Sequence, residues 1–502
     1  MRDQWSTRLG FLFAAIGAAV GLGNLWRFPF QAYKNGGGAF FLPYFVAILT
    51  CAVPLMIMEY AFGRRMRGGC TKAFKELGKK YEIIGWIQVM IPVIVMMFYC
   101  TIISISVVFM GLSIGHALGL VDFLGNPGPF MGMVVGNAES ALDLGAGYSF
   151  FLFFSVIFVW AFNYFFVRKG ISGGIEKICL VTTPLLLILM VIFMINALRL
   201  EGSVIGLNAL FNPDFGKIMD PRIWVAAYGQ VFFSTTLAVG VMIAYGSYLG
   251  EKQDIVNNSF ITVFSNTSFD IIAGMTVFAT LGYLVATAGV DFDSFGSGAG
   301  VAFIAFPIAI STMTESVVAQ GLVGFTFFFC LFIAGITSSM SMIEAFNTAA
   351  LDKFNVTREK LTRIVTIIGL GGSALFASYA GFNHILDIVD QYVANYVIVT
   401  IGLLEVIVIS YVYGAEKLRV YANEHSDFKV GRWWNFLLKY FTPALLGITV
   451  VSNLVRGFMD YAGMSGVKVA SHVIFGWGTV AAMLVAAFLF NRKEWTAESK
   501  EG

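Results

Sequence analysis

Gly17-Ala-Ala-Val-Gly-Leu-Gly-Asn-Leu-Trp-Arg-Phe-Pro-Phe30 lies within the first long apolar segment, yet it holds three glycines, an asparagine, an arginine and a proline. Each glycine weakens a helix by roughly 1 kcal/mol relative to alanine, and Pro29 removes a backbone donor. A helix entering this stretch is expected to break near residues 19–22. Irregular backbone at membrane depth survives only where protein buries it or where it lines a cavity, so the break points to a ligand site.

The rest of the chain supplies the membrane setting. Hydrophobic residues make up 58% of the 502 and charged residues 12%. Apolar stretches of about 20 residues recur throughout, each long enough as helix to cross a hydrocarbon core about 30 Å thick. Twelve spans are expected, at 8–33, 39–63, 83–119, 148–167, 173–199, 222–248, 258–288, 318–350, 360–378, 383–412, 436–457 and 470–490. The fold class is therefore an all-α polytopic membrane protein, one transmembrane domain over 1–502. Residues 64–82 carry seven Lys and Arg, whereas 119–148 carry none. That bias puts the first segment inside, the second outside and both termini in the cytoplasm.

Other classes find no support. The formal net charge is only +2 and no basic block stands outside the spans, so nucleic acid is not an expected partner. Five cysteines are scattered singly and four histidines lie far apart, without metal spacing or a neighbouring nucleophile, which argues against an enzyme. The first apolar segment is too long and too interrupted for a signal peptide and should stay in the mature protein. The connections 120–147 and 290–314 read as outer caps. The Gly-rich 295–300 has no following lysine and is a loop, not a phosphate cradle.

Span 6 repeats the anomaly of span 1. Phe233-Ser-Thr-Thr-Leu-Ala-Val-Gly240 puts three hydroxyls and a glycine at mid-membrane. Five spans and then a second five, each set opening on a broken helix, is the pattern of an inverted repeat with its site at the midplane. The repeats would occupy 1–200 and 201–413, with two further helices in 414–502. Hydroxyl and amide oxygens suit a monovalent hard cation, while clustered carboxylates suit a divalent one. Asn24, Ser234, Asn266, Thr337 and Ser338 are the candidate ligands, and Na+ is the expected ion.

Together with Gly17–Pro29, the motifs Asn35-Gly-Gly-Gly-Ala-Phe40, Gly229-Gln-Val-Phe-Phe-Ser234 and Ala334-Gly-Ile-Thr-Ser-Ser339 resemble the signatures of the neurotransmitter:sodium symporters, bacterial amino-acid branch. The resemblance runs over nearly the whole chain. It implies one sodium at the carbonyls of Gly17, Val20 and Ala334 with the hydroxyls of Thr337 and Ser338. It implies a second at Ala19, Asn24, Ser234 and Asn266, completed by the substrate carboxylate. The amides of Leu22 and Gly23, with the Tyr99 hydroxyl, would hold that carboxylate. Carbonyls of Ala19, Phe233, Ser234 and Thr236 would take the ammonium, and Val95, Tyr99, Phe233, Thr236, Val239, Ser338 and Met342 would enclose the side chain.

Gly21 stands where relatives for amines without a carboxylate place an aspartate, so an α-amino acid is the implied cargo, large aliphatic or aromatic. Chloride-dependent relatives place a serine at the position of Asp270, with chloride among Tyr44, Gln230, Ser234 and that serine. A carboxylate in mid-span costs roughly 2.5 to 3.5 kcal/mol to insert, and functional is the default reading. Asp270 is accordingly expected to replace chloride, which is then not required, and to carry a proton outward on the empty return step. Arg27 with Asp390 resembles the outer gate pair and Arg2 with Asp352 the inner one, with Trp5 plugging the inner path and Phe303 the outer. Glu59 and Glu405 are expected to cap loosened backbone in span 6.

The reading is a sodium-coupled importer of a neutral hydrophobic L-amino acid, working by alternating access in the inner (plasma) membrane of a prokaryote. Its partners are the amino acid, sodium ions and the bilayer, and nothing in the sequence fixes an oligomeric state. The alternative is an amino-acid sensor or a channel-like protein built on the same fold.

Overall fold

The protein is described here by a computed structural model, which places residues 3–289, 291–292 and 301–496. Among these residues nine unbroken helical runs are long and apolar enough to cross a membrane. They are Gly38–Met66, Lys79–Ala117, Phe150–Val167, Ile171–Leu198, Ile255–Thr287, Val317–Lys353, Gly381–Asn423, Trp433–Ala462 and Gly466–Arg492, matching expected spans 2–5, 7, 8 and 10–12. Span 9 is the helix Arg358–Phe376, whose opening turns carry Arg358, Glu359, Lys360 and Arg363 and so lower its hydropathy. Expected spans 1 and 6 are each broken in two: span 1 makes a tenth, bent span, whereas the helices of span 6 and Arg358–Phe376 fall short of the length or hydropathy of the others.

Span 1 consists of Arg8–Ala19 and Leu22–Lys34, which meet at 60°. Val20 and Gly21 run extended between them, so the break falls where the glycines weaken the helix most. Pro29 lies inside the outer half without ending it. Span 6 consists of Pro221–Ser234 and Val241–Ser247. Between them Thr236 (φ 55°), Ala238 (φ 59°) and Gly240 (φ 77°) adopt left-handed backbone. For Thr and Ala this costs on the order of 1–3 kcal/mol each and persists only where the surroundings hold it. The hold is visible: the Ala238 N–H donates to Glu59 Oε1 at 2.8 Å, and the Thr236 hydroxyl donates to the Ala18 carbonyl at 3.0 Å.

Spans 3 and 8 form the most extensive helix pair. The inner half of span 1 packs on spans 5, 7 and 8, its outer half on span 7, and the inner half of span 6 on span 2. Both breaks are thus enclosed by unbroken helices.

Two expectations need correction. Span 10 continues to Asn423, well beyond the apolar limit at 412, because a polar helix can extend into water; Glu416 and Arg419 pair there at 2.7 Å. Glu405 does not reach the span 6 backbone: its Oε2 accepts from Gln88 Nε2 at 2.7 Å, and of the two glutamates only Glu59 caps the segment. Of the outer connection 290–314, residue 290 and the Gly-rich 293–300 lie outside the described residues. Its described end forms one helical turn followed by the helix Phe306–Thr312.

Candidate functional site

The outer half of span 1 begins at Leu22, and its first amides are unpaired by helix geometry. Asn24 Oδ1 accepts from the Gly21 N–H at 2.8 Å, and the Leu22 N–H donates to the Tyr99 hydroxyl at 3.2 Å. A helix N-terminus with its positive dipole end therefore faces a cavity of about 490 Å³. Ala19, Gly23, Val95, Tyr99, Phe233, Ser234, Thr236, Val239, Ser338 and Met342 all line it, as does Gly21. Leu22 meets Tyr99 through its amide, and its side chain is not part of the wall. A Cβ added at Gly21 would come within 2.9 Å of the Tyr99 hydroxyl and 3.3 Å of Ser338 Oγ, so the glycine keeps the space beside the helix N-terminus open.

Ile91, Pro92, Phe98, Ile102 and Leu237 also line the cavity. Sequence reasoning missed them because apolar residues in an apolar span carry no signal.

Oxygens gather at two places beside this cavity. Ser338 Oγ lies 3.1 Å from the Gly17 carbonyl and 3.2 Å from those of Val20 and Ala334. The Thr337 hydroxyl, fully buried, lies 3.2 Å from the Ala334 carbonyl and beside Gly17. The second group joins Asn24, Ser234, Asn266 and Asp270. Asn24 Nδ2 stands 2.9 Å from Asn266 Oδ1, 2.9 Å from Asp270 Oδ1 and 3.1 Å from Ser234 Oγ, while Asn266 Nδ2 donates to Ser234 Oγ at 2.8 Å. Asn24 thus turns its amide nitrogen, not its oxygen, toward these residues, because the oxygen caps the broken helix. A cation placed among Ser234, Asn266 and Asp270 would meet the Asn24 nitrogen, so ligation there by Oδ1 requires the amide to turn.

Asp270 is fully buried and accepts from three donors: the Tyr44 hydroxyl, the Asn24 amide and, at 3.4 Å, the Ser234 hydroxyl. No basic side chain pairs with it among the described residues. The buried Gln230 amide, on the same helix as Ser234, has neither its oxygen nor its nitrogen hydrogen-bonded.

The two ends of the path differ. Arg27 and Asp390 both line the cavity without forming an ion pair, and the Arg27 guanidinium lies 4.2 Å from the Phe233 ring centroid. A second cavity, about 380 Å³, shares Arg27, Gln230, Phe232, Phe233 and Ile398 with the first and continues past Arg222 and Arg456. Phe233 therefore stands at the junction of the two. Phe303, expected there as a plug, is buried instead against Phe109 and Phe328, with ring centroids 5.3 and 6.0 Å away. The aromatic cluster of spans 3 and 8 holds it off the path. At the inner end Trp5 is buried, its indole N–H donating to the Tyr245 carbonyl at 3.1 Å. Arg2 lies outside the described residues, and Asp352 accepts from the Gly69 N–H at 2.6 Å. An ion pair that the sequence did not disclose, Arg358–Glu344 at 2.6 Å, ties the start of span 9 to span 8 there.

The sequence profile of the sodium:neurotransmitter symporter family matches residues 2–122 and 133–495. The chain belongs to that family. Among symporters of this family and their kin, an uncharacterised sodium-dependent transporter of Methanocaldococcus jannaschii is 35% identical over 476 residues, covering 95% of this chain and 94% of the relative. The sodium- and chloride-dependent GABA transporter 2 of Bos taurus is 27% identical, covering 91% and 80%. The crystal structure of MhsT in complex with L-phenylalanine superposes with a TM-score of 0.77 at 26% identity, covering 90% of this chain and all of that one. Family membership makes the protein a sodium-dependent symporter and an integral membrane protein, not an enzyme.

Proposed function

We propose that this symporter imports a neutral, hydrophobic L-amino acid, large aliphatic or aromatic, with two sodium ions and without chloride. The observation that carries the reading is the pairing, in one cavity, of a helix N-terminus kept accessible by Gly21 with walls that are otherwise mostly apolar. The first suits a carboxylate and the second an uncharged side chain. That MhsT was crystallised with L-phenylalanine agrees with such a cargo.

In this reading the first sodium binds at Gly17, Val20, Ala334, Thr337 and Ser338. The second binds at Ala19, Asn24, Ser234 and Asn266 once the amide of Asn24 releases the Gly21 N–H. The substrate carboxylate completes that second shell, so sodium and amino acid raise each other's affinity by the same factor. Asp270 supplies the negative charge that chloride gives relatives. Arg27 and Asp390 close over Phe233 when the cavity fills, and Trp5 withdraws when the inner path opens. The protein is placed in the plasma membrane of a prokaryote with both termini inside, the repeats being 1–200 and 201–413.

Radiolabelled amino-acid uptake into proteoliposomes, with sodium, chloride and pH gradients imposed separately, tests the reading. The expected result is sodium-driven accumulation of leucine- or phenylalanine-like substrates that is indifferent to chloride. Equilibration without accumulation would instead identify a channel-like protein, and a chloride requirement would refute the role given to Asp270.

A further inference from the structure

The unwound segment of span 6 is backed by a polar cluster that lines neither cavity. Four elements meet there. Glu59, from span 2, accepts the Ala238 N–H. Span 10 approaches so closely that a Cβ on Gly402, one turn before Glu405, would lie 3.1 Å from the Ala238 Cβ. Span 3 contributes Gln88, which donates to Glu405. The helix Cys70–Leu77 contributes Cys70, whose thiol donates to the Gly240 carbonyl at 3.7 Å. Glu59, Gln88 and Glu405 are all buried, at 1%, 0% and 1% exposure.

The hydrogen-bond inventory of this cluster is unbalanced. Glu59 Oε2, Glu405 Oε1 and Gln88 Oε1 are buried acceptors without a partner. The two carboxyl groups lie close enough to act on each other electrostatically. No lysine, arginine or histidine pairs with either among the described residues. The other titratable groups facing them are Cys70 and Tyr60, whose thiol and phenol are uncharged at neutral pH and bring no positive charge. Two ionised carboxylates in such a place would lack both counter-charge and donors, and adjacent buried carboxyls relieve this by retaining a proton. What is missing is hydrogen: a proton on one carboxyl removes its charge and turns an orphaned acceptor into a donor.

We propose that Glu59 and Glu405 form a proton-binding site, the pair retaining one proton behind the span 6 break and separate from Asp270. The proton removes the repulsion on Glu59 and thereby secures the contact that holds Ala238 in left-handed backbone. Binding of this proton is independent of which amino acid is carried.

Infrared spectroscopy of the full-length protein in nanodiscs, in the region of protonated carboxylic acids at neutral pH, tests the proposal. Wild type and Asp270→Asn are expected to show a common protonated-carboxyl band. That band should be lost in Glu405→Gln and lost equally in Glu59→Gln, because either substitution removes one of the two like charges whose clash retains the proton. Absence of the band from wild type, its disappearance in Asp270→Asn, or its persistence in either purified glutamine variant would overturn the proposal. The Glu59→Gln and Glu405→Gln spectra separate this band from any contribution of Asp387 and Asp390, which line the first cavity. Should one glutamine variant fail to fold, the other still assigns it.

Discussion

Thr337→Val isolates the first sodium site from everything else that the binding cavity does. The Thr337 side chain is fully buried, lies beside Gly17 and the Ala334 carbonyl, and lines neither cavity. Valine keeps its branched shape and removes the single oxygen. In the helix the hydroxyl donates back to the Ile333 carbonyl at 3.1 Å, a bond parallel to the backbone ladder, so its loss orphans no buried group and leaves the fold nearly unchanged. A hydrogen-bond-strength contact to a charged partner contributes about 1.5–3 kcal/mol. At about 1.4 kcal/mol per decade, the half-saturating sodium concentration should rise roughly 10- to 150-fold. Sodium titration of the melting temperature at constant ionic strength reads this directly, since a ligand of the native state stabilises it by mass action and no cargo need be present. Thr337→Ser returns the oxygen and should recover most of the affinity. A Val variant with the wild-type sodium midpoint would refute the assignment of Thr337 to an ion site, whatever the transport activity.

Three other perturbations bear on separate parts of the molecule. Gly21→Ala places a methyl within 2.9 Å of the Tyr99 hydroxyl, beside the amides proposed to hold the carboxylate, and should lower amino-acid affinity at least about tenfold; retention of wild-type affinity in a binding assay at saturating sodium would contradict that placement. Asp270→Ser removes the carboxylate that Tyr44, Asn24 and Ser234 surround, and uptake should become dependent on external chloride; an active variant indifferent to chloride would count against the substitution of charge. Lys353→Met leaves Glu82, paired with it at 2.6 Å and buried, without its counter-charge. It also strips the Phe490 and Asn491 carbonyls of their donor, so a loss of about 3–5 kcal/mol is expected in thermal melts, partly restored by adding Glu82→Gln.

What could be read from the sequence followed from contrast. An asparagine or aspartate inside an apolar span is conspicuous because membrane helices rarely keep one without use, which marks Asn24, Asn266 and Asp270, while Gly21 and Ser234 stand out through the clustering of glycines and of hydroxyls at the two breaks. The same contrast fails where chemistry matches background. With 50 phenylalanines in the chain, nothing local distinguishes Phe233, at the junction of the two cavities, from Phe303, locked among other rings. It fails again for pairing, which is a property of the tertiary structure: Glu82 and Lys353 meet across 271 positions, and Glu405 finds Gln88 at a distance of 317. Composition can announce that a buried carboxyl needs a partner, but only the fold decides whether that partner is a cation, an amide or another carboxyl. Asn24 shows the limit most sharply, because its presence marks the site while its orientation decides the site's state. In this structure its oxygen holds the broken helix while its nitrogen faces Ser234, Asn266 and Asp270, and the energy of turning the amide is part of what sodium must supply when it binds among them.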